Sequence, residues 1–291
     1  MKQSSKTLKA GSLAKTKPAK TSRQLPAIVA AAERGDAAEA RKLIRSGADV
    51  NETTTPTLPP YYGADALIVA ARHGRAEIVE LLLANGARIS NRSAYGSAVQ
   101  QAIDYGHPEV VQLLLKHGAR ELGLSLFNAL NQNRVDIFKA VAEAGISFDC
   151  FRDRLTRLSL LERAIHLKNI QVATLLLKNG IKLAGGELVE CAAYGSADLA
   201  RKLVERGADP KLPNGNGRYA LSSACYWGNR DVAEVLLAHG ASLTAQDVRG
   251  WSCLDWARYG KRAAMVKWLN SIAKVQGTKI PSQRSLKRAL P

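Results

Sequence analysis

The sequence contains no run of about 18 apolar residues, the length that a membrane-spanning helix requires, so we expect no transmembrane segment. Residues 1–24 contain lysines but no apolar stretch, so we expect no secretory signal peptide. Cysteines are few and widely spaced, at Cys150, Cys191, Cys225 and Cys253. This spacing is unlike that of a disulfide-rich secreted domain or a zinc knuckle. These absences predict an intracellular protein that lies in the cytoplasm or, in a eukaryotic cell, also in the nucleus.

Acidic residues are absent from both ends of the chain. Residues 1–24 carry seven lysines and arginines and residues 261–291 carry eight, so the two ends supply 15 of the 17 net positive charges. Residues 25–260 are nearly neutral, with 27 basic and 25 acidic residues. Because residues 1–24 have few large apolar side chains, we expect a disordered basic tail there and a second basic tail over 273–291. Apolar residues make up 46% of the chain, which excludes a wholly disordered protein.

Motifs that would indicate an enzyme are missing as well. The sequence has no phosphate-binding Gly-x-x-x-x-Gly-Lys-Ser/Thr, no nucleophile elbow Gly-x-Ser-x-Gly and no zinc-binding His-Glu-x-x-His. We therefore predict a protein that is not an enzyme and that needs no cofactor and no metal.

What the sequence does contain is an internal repeat. Two or three leucine-like residues, a short polar pair and a glycine recur seven times, ending at Gly47, Gly86, Gly118, Gly145, Gly180, Gly207 and Gly240. The six intervals average about 32 residues. Several of these phrases follow an alanine-rich segment that also ends in glycine, such as residues 30–35. The pattern predicts a short helix of small residues, a tight turn, a longer amphipathic helix and a glycine that ends it in a left-handed conformation.

This unit resembles the ankyrin repeat, whose pattern includes Gly-x-Thr-Pro-Leu-His-x-Ala-Ala, then Val-x-Leu-Leu-Leu and Gly-Ala-Asp. The best matches to the last part are Gly-Ala-Asp-Val-Asn at 47–51 and Gly-Ala-Arg-Ile-Ser-Asn at 86–91. The resemblance covers about residues 25–272 as eight units, the last of which caps the stack. It implies an all-α solenoid of helix-turn-helix units with short hairpin loops. It also implies binding of a protein partner through the loop tips and the concave face of the first helices.

The sequence departs from the family pattern in the middle. No unit keeps an intact Thr-Pro-Leu-His, and the fourth unit has Leu130, Asn131 and Asn133 in place of Ala-Ala and Gly. The fifth unit has Asn169 where we expect the turn glycine. Because each unit of a solenoid contacts only its neighbours, we expect the middle of the stack to be its least stable part.

A long loop is the first candidate for partner contact. It runs from Glu52 to Gly63, causes the 39-residue interval between two repeat glycines, and contains Tyr61 and Tyr62. Long loops in compact arrays are often functional, and tyrosine is common at interface hot spots. The alternative is that these tyrosines pack back onto the stack.

A row of mostly aromatic residues before the turn glycines is the second candidate. Its members are His73, Tyr105, Tyr194, Tyr226, Trp227 and Tyr259. Equivalent positions of a solenoid lie in a row, so we expect these rings to form a ladder along one edge of the groove, although packing explains them equally well. A third candidate is Arg152, Arg154 and Arg157, which could clamp a carboxylate or phosphate. They could instead belong to a solvated loop that pairs with nearby aspartates.

We therefore predict a monomeric module for protein–protein interaction. The alternative function is binding of nucleic acid or an anionic surface through residues 1–24 and 261–291, which would give a steep loss of affinity with salt. Against this alternative, aromatic residues do not interleave with the tail lysines, as they usually do where proteins grip single strands.

Overall fold

The computed structural model describes residues 25–56, 59–152 and 158–282, so the basic segment 1–24 lies outside the described residues. The described part contains sixteen α-helices that form eight successive pairs. They are α1 (Ala27–Arg34), α2 (Ala37–Arg45), α3 (Ala66–Arg72), α4 (Ala76–Ala84), α5 (Ala98–Asp104), α6 (Pro108–Lys116), α7 (Ser125–Asn131), α8 (Val135–Glu143), α9 (Leu160–His166), α10 (Ile170–Lys178), α11 (Glu187–Tyr194), α12 (Ala197–Glu205), α13 (Ala220–Trp227), α14 (Arg230–Ala238), α15 (Cys253–Tyr259) and α16 (Ala263–Val275). Each pair is one unit, which confirms the all-α class and the eight units.

Hairpin loops join each unit to the next. The loop between units two and three contains the short antiparallel strands β1 (Arg92–Ser93) and β2 (Gly96–Ser97). The last helix continues to Val275, beyond the expected boundary at residue 272, and Ile280 is also buried. The packed part of the chain therefore reaches at least to residue 280.

The two helices of a unit differ in how they are buried. The first helices are short and rich in alanine, and residues such as Ala31 and Ala71 have no exposed surface, which lets neighbouring helices approach closely. The second helices bury one stripe, as in α4, where Leu82 is fully buried while Leu81 and Leu83 are partly exposed. Stacking of the units joins these surfaces into one continuous apolar core.

The turn between the two helices of a unit needs a left-handed residue in most units. Glycine serves at Gly35, Gly74, Gly106 and Gly228, with φ between 67° and 82°. In units four, five and eight the same place is taken by Asn133 (φ 56°), Lys168 (φ 57°) and Lys261 (φ 56°).

The expectation that Asn169 replaces the turn glycine of unit five is therefore wrong by one residue. Lys168 takes that place, and Asn169 is the N-cap of α10, where its side chain accepts a hydrogen bond from the Val172 amide. A similar shift occurs in unit eight, where Gly260 keeps a helical φ of −71°. Glycine is needed there for another reason, because a Cβ atom would lie 2.3 Å from the carbonyl oxygen of Tyr226.

Polar side chains at the start of several second helices connect neighbouring units. Each lies within hydrogen-bond distance of a main-chain carbonyl near the end of the first helix in the preceding unit. The pairs are His107 Nε2 with Arg72 O (3.0 Å), Arg134 Nη2 with Gly106 O (2.7 Å), Asn229 Nδ2 with Ala192 O (2.7 Å) and Arg262 Nε with Tyr226 O (3.1 Å). These contacts satisfy carbonyls that the helix itself leaves unpaired.

The stack curves differently in its middle. In units one to three and five to eight, neighbouring first helices contact each other more extensively than the second helices do. The order reverses between units three and five, where α7 and α9 make few contacts while α8 and α10 still pack together. The first-helix side is therefore concave in two arcs, with an open cleft between Asn131 of unit four and Leu167 of unit five.

Candidate functional site

The first concave arc contains an arginine surrounded by tyrosines. The guanidinium carbon of Arg72 lies 4.5 Å from the ring centre of Tyr105, 5.7 Å from that of Tyr95 and 5.9 Å from that of Tyr61. Tyr105 and Tyr95 are about half exposed, at 48% and 51%. We call these residues, with Tyr62 and His73, the N-terminal cluster. Arginine stacked on aromatic rings is held in place and is typical of protein interfaces.

Tyr61 is buried in this cluster, and its predicted contact with a partner stays a prediction. Its side chain is only 3% exposed, and its hydroxyl donates to Glu33 Oε1 at 2.7 Å and lies 2.9 Å from His73 Nε2. Burial, together with the hydrogen bond to Glu33, raises the pKa of Tyr61 far above its usual value, so the hydroxyl keeps its proton. The alternative stated for this loop, packing of the tyrosine onto the stack, describes Tyr61 correctly.

Tyr62 and His73 have intermediate positions. Tyr62 is half-buried and its ring meets that of Tyr95 edge to face, with the ring centres 5.7 Å apart. His73 is also half-buried, and burial lowers its pKa, an effect that the nearby Glu33 carboxylate partly opposes. Tyr62 therefore contacts the exposed Tyr95, whereas His73 contacts the buried Tyr61.

The second concave arc contains a longer set of rings, which we call the C-terminal cluster. It consists of His166, Tyr194, Tyr226, Trp227, Trp256 and Tyr259. Ring centres are 4.5 Å apart for His166 and Tyr194, and 5.6 Å apart for Tyr194 and Trp227. Tyr226 then contacts Trp227 at 5.1 Å and Tyr259 at 6.0 Å. Trp227 and Tyr259 are each 38% exposed, so the cluster has an accessible aromatic surface.

The predicted ladder is therefore divided in two. Units four and five place Gln132 and Leu167 at the position of the row, and no ring of the described residues bridges them. The register of Tyr259 also differs from the expectation. It lies two residues before the left-handed Lys261, so it is equivalent to Tyr226 and stacks on it at an interplanar angle of 26°.

A cavity of about 260 Å³ opens beside the C-terminal cluster, between units seven and eight. Seven residues line it: Arg218, Ser222, Ser223, Tyr226, Arg249, Trp256 and Tyr259. The guanidinium carbon of Arg218 lies 5.1 Å from the ring centre of Trp256. The Trp256 indole N–H donates to Asp247 Oδ2 at 2.9 Å, which fixes the ring.

Sequence reasoning missed Arg218, Arg249 and Trp256 as members of this site. Arg218 and Arg249 are in hairpin loops, and the loops of neighbouring units lie side by side in such a stack. The spacing of about one repeat between the two arginines was the signal available.

The arginine group between units four and five is described only in part. Arg152 is exposed and its main chain bridges to Ser159, whereas Arg154 and Arg157 lie outside the described residues. The nearby Asp149 carboxylate accepts a hydrogen bond from the Lys182 amide at 2.7 Å, which connects the hairpin loops of two units. The proposed clamp for an anion stays a prediction.

The chemistry of the described residues is that of a surface for stacking and hydrogen bonding. They contain no group of three His, Cys, Asp or Glu side chains that could hold a metal ion. Burial raises the pKa of the Cys191 thiol to about 12, so this thiol is not a ready nucleophile. Among the helices described, none has both the length and the apolar character needed to cross a membrane.

Comparison with known proteins identifies related chains with the same repeat. The inhibitory protein named cyclin-dependent kinase 4 inhibitor B from Rattus norvegicus is 40% identical over 68 residues, which are 22% of this chain and 52% of that protein. The RelA-associated inhibitor of Mus musculus is 33% identical over 70 residues, 24% of this chain and 8% of that protein. A putative ankyrin repeat-containing protein of Treponema pallidum (strain Nichols) is 28% identical over 131 residues, 43% of each chain. The chain thus spans between 8% and 52% of the length of these relatives.

A solved structure and a family model give the remaining comparisons. The human ASB11 ankyrin repeat domain is 20% identical, with 88% of this chain and 99% of that chain covered at a TM-score of 0.43. The family model for ankyrin repeats, in three copies, matches residues 27–125 and 188–279, together about two-thirds of the chain. The unmatched stretch between them contains units four and five, the units that depart from the repeat pattern. The chain belongs to the ankyrin-repeat family.

Proposed function

We propose that this protein is a non-enzymatic adaptor that binds a protein partner through the concave side of its first helices and the adjoining hairpin loops. One observation carries the proposal. Among the described residues, the exposed large apolar side chains lie on the first helices, in the loops and at the end of α16. None lies on the second helix of any of units one to seven. Exposed aromatic groups concentrated on one face are typical of a binding surface.

The two aromatic clusters are the proposed contact sites. Tyr95 and Tyr105 present the outer surface of the N-terminal cluster, and Trp227 and Tyr259 that of the C-terminal cluster. Tyrosine and tryptophan provide large contact areas and lose little conformational entropy on binding, which is why they are common hot spots. In this proposal the domain covers residues 25 to about 280, acts as a monomer in the cytoplasm, and the basic ends are not required for partner binding.

The test is affinity capture with the full-length chain from a nuclease-treated lysate, followed by quantitative mass spectrometry. The concave variant Tyr105→Ala/Trp227→Ala removes one exposed ring from each cluster. The matched control, Lys116→Ala/Arg201→Ala, truncates exposed side chains on the second helices α6 and α12. We expect the natural chain to capture a discrete protein. The concave variant should recover at least about ten times less of this protein, and the control should recover the same amount as the natural chain.

Two results would overturn the proposal. One is a partner whose recovery is equal with the concave variant and the control. The other is loss of all bound protein when the lysines of residues 1–24 are changed to glutamine, which would favour the electrostatic alternative.

A further inference from the structure

The cavity between units seven and eight combines hydrogen-bond donors with aromatic walls. Arg218 supplies a guanidinium group, and Ser222, Tyr226 and Tyr259 supply hydroxyls. Trp256 and the two tyrosines form its apolar walls. None of the described residues that line the cavity has a carboxylate. The ligand that matches this lining therefore offers hydrogen-bond acceptors with negative charge next to an apolar group.

Arg218 is the residue best placed to bind such an anion. Its guanidinium is held against the Trp256 ring, and within the described ranges it forms no ion pair with an acidic residue. Asp247, an acidic residue in the neighbouring loop, is already engaged by the Trp256 indole N–H and by the amides of Arg249 and Trp251. A planar guanidinium positioned by a ring can bind a carboxylate through two parallel hydrogen bonds.

Ser222 contributes a hydroxyl to the same lining. The residue is 2% exposed and lines the cavity. A hydroxyl can donate to a ligand oxygen, so Ser222 offers a second donor beside Arg218.

The surroundings favour a peptide over a nucleic acid. The first-helix side also carries the carboxylates of Asp104 and Glu190, which are engaged by Asn128 and His166. A continuous phosphate backbone running along this face would meet these negative charges, whereas a single acidic side chain entering the cavity would not.

We propose that this cavity binds an acidic segment of the protein partner, with a glutamate or aspartate carboxylate on Arg218 and an adjacent large apolar side chain against Trp256 and Tyr259. The inference rests on the proposed function and specifies the chemistry of the partner. It assigns Arg218 as the residue that binds the carboxylate of the partner.

The test uses the full-length, ¹⁵N-labelled chain and a capped decapeptide with the central sequence Glu-Glu-Leu-Phe-Glu-Glu. The four tryptophan indole N–H signals are followed during the titration. We expect the Trp256 signal to shift, while that of Trp268, which packs under Arg230 on the second-helix side, stays in place. The same peptide with glutamine in place of glutamate, and one with serine in place of Leu-Phe, should each bind at least about ten times more weakly.

Matched variants assign the effect to one residue. Arg218→Gln should weaken peptide binding at least about ten-fold, because a charge-assisted hydrogen bond is lost. Arg201→Gln removes the same charge from the exposed surface of α12 and should leave the affinity within about two-fold. Arg218 is exposed, so its replacement should not unfold the chain, and an unchanged melting temperature verifies this.

Several outcomes would overturn the inference. They are absence of binding at about 1 mM peptide, equal binding of the glutamine peptide, and equal affinity of Arg218→Gln. Tighter binding of a 12-nucleotide oligothymidylate with the same Trp256 shift would assign the cavity to nucleic acid instead. If the peptide fails while affinity capture still depends on Tyr105 and Trp227, the concave face binds a partner of different chemistry and the proposed function stands.

Discussion

At the scale of single residues, tyrosines that the sequence presents as equal candidates for partner contact have different roles. Tyr61 and Tyr105 both belong to the N-terminal cluster, but Tyr61 is buried and Tyr105 is about half exposed. Glu33 and His73 hold Tyr61 inward; Glu33 belongs to α1 of the preceding unit and His73 is the C-cap of α3. The tyrosines and prolines of a long loop do not indicate that Glu33 and His73 lie next to Tyr61. The sequence therefore could not decide whether Tyr61 contacts a partner protein or packs onto the stack.

Tyr61→Phe should lower the free energy of unfolding by about 1 kcal/mol, because a buried hydrogen-bonded hydroxyl is lost and Glu33 loses a donor. Urea denaturation followed by circular dichroism measures this change. Tyr62→Phe is the control, since that side chain is more exposed, and should change the free energy of unfolding by less than about 0.5 kcal/mol. Equal effects of the two substitutions would contradict the structural role of Tyr61.

His73 should make stability depend on pH. Burial lowers its pKa in the folded state, so between that value and the ordinary value of 6.5 the unfolded chain binds more protons than the folded chain. Stability should therefore be full above pH 6.5 and be lost as the pH falls through this window. Denaturation at pH 7.5 and 5.5 should show a smaller loss for His73→Gln than for the natural chain. A loss of equal size in both would contradict the assignment.

At the scale of helices and turns, the repeat pattern predicted nearly everything except local register. Eight helix pairs follow from the spacing of small residues, leucines and glycines, because these residue types carry the packing and the turns. The two errors concern Asn169 and Tyr259. In each case the predicted turn position is shifted by one residue, because a non-glycine residue takes the left-handed conformation. A glycine marks such a turn in the sequence, whereas Lys168 and Lys261 do not.

Lys168→Gly should stabilise the protein by roughly 0.5 to 1 kcal/mol. The left-handed conformation costs a lysine about 1 to 2 kcal/mol, and glycine removes this strain at a smaller cost in unfolded-chain entropy. Lys168 is exposed, so no packing is lost. Thermal and urea denaturation check the change, and Asn133→Gly should give a smaller gain because asparagine tolerates this conformation better. Destabilisation by Lys168→Gly would refute the strain argument.

At the scale of the whole molecule, the stack consists of two concave arcs joined by a middle in which the first helices make few contacts. The repeat pattern predicts low stability there, from Asn131 and Asn133 in unit four. It did not predict that α7 and α9 separate, because helix spacing depends on the loop that joins their units and on side-chain size together. It also missed the cavity, whose lining comes from loops one repeat apart. The division of the aromatic residues into two clusters follows from the same interruption.

Amide hydrogen exchange should therefore be faster in α7 to α10 than in α13 to α15. Because α7 and α9 make few contacts with each other, the local opening that exposes their amides costs less free energy. The helices α13 and α15 pack closely, so opening there costs more. Exchange measured by mass spectrometry on the full-length chain resolves these helices. Slower exchange in the middle units than in α13 to α15 would contradict the account.

The most direct test of the central claim is site-specific photo-crosslinking in the full-length chain. Benzoylphenylalanine replaces Tyr105 or Trp227 on the concave side, or the exposed Lys202 of the second helix α12 as the control. The account predicts that, in a nuclease-treated lysate, the two concave positions crosslink to the same discrete protein and position 202 does not. Crosslinking from position 202 alone, or none from either concave position, would contradict it.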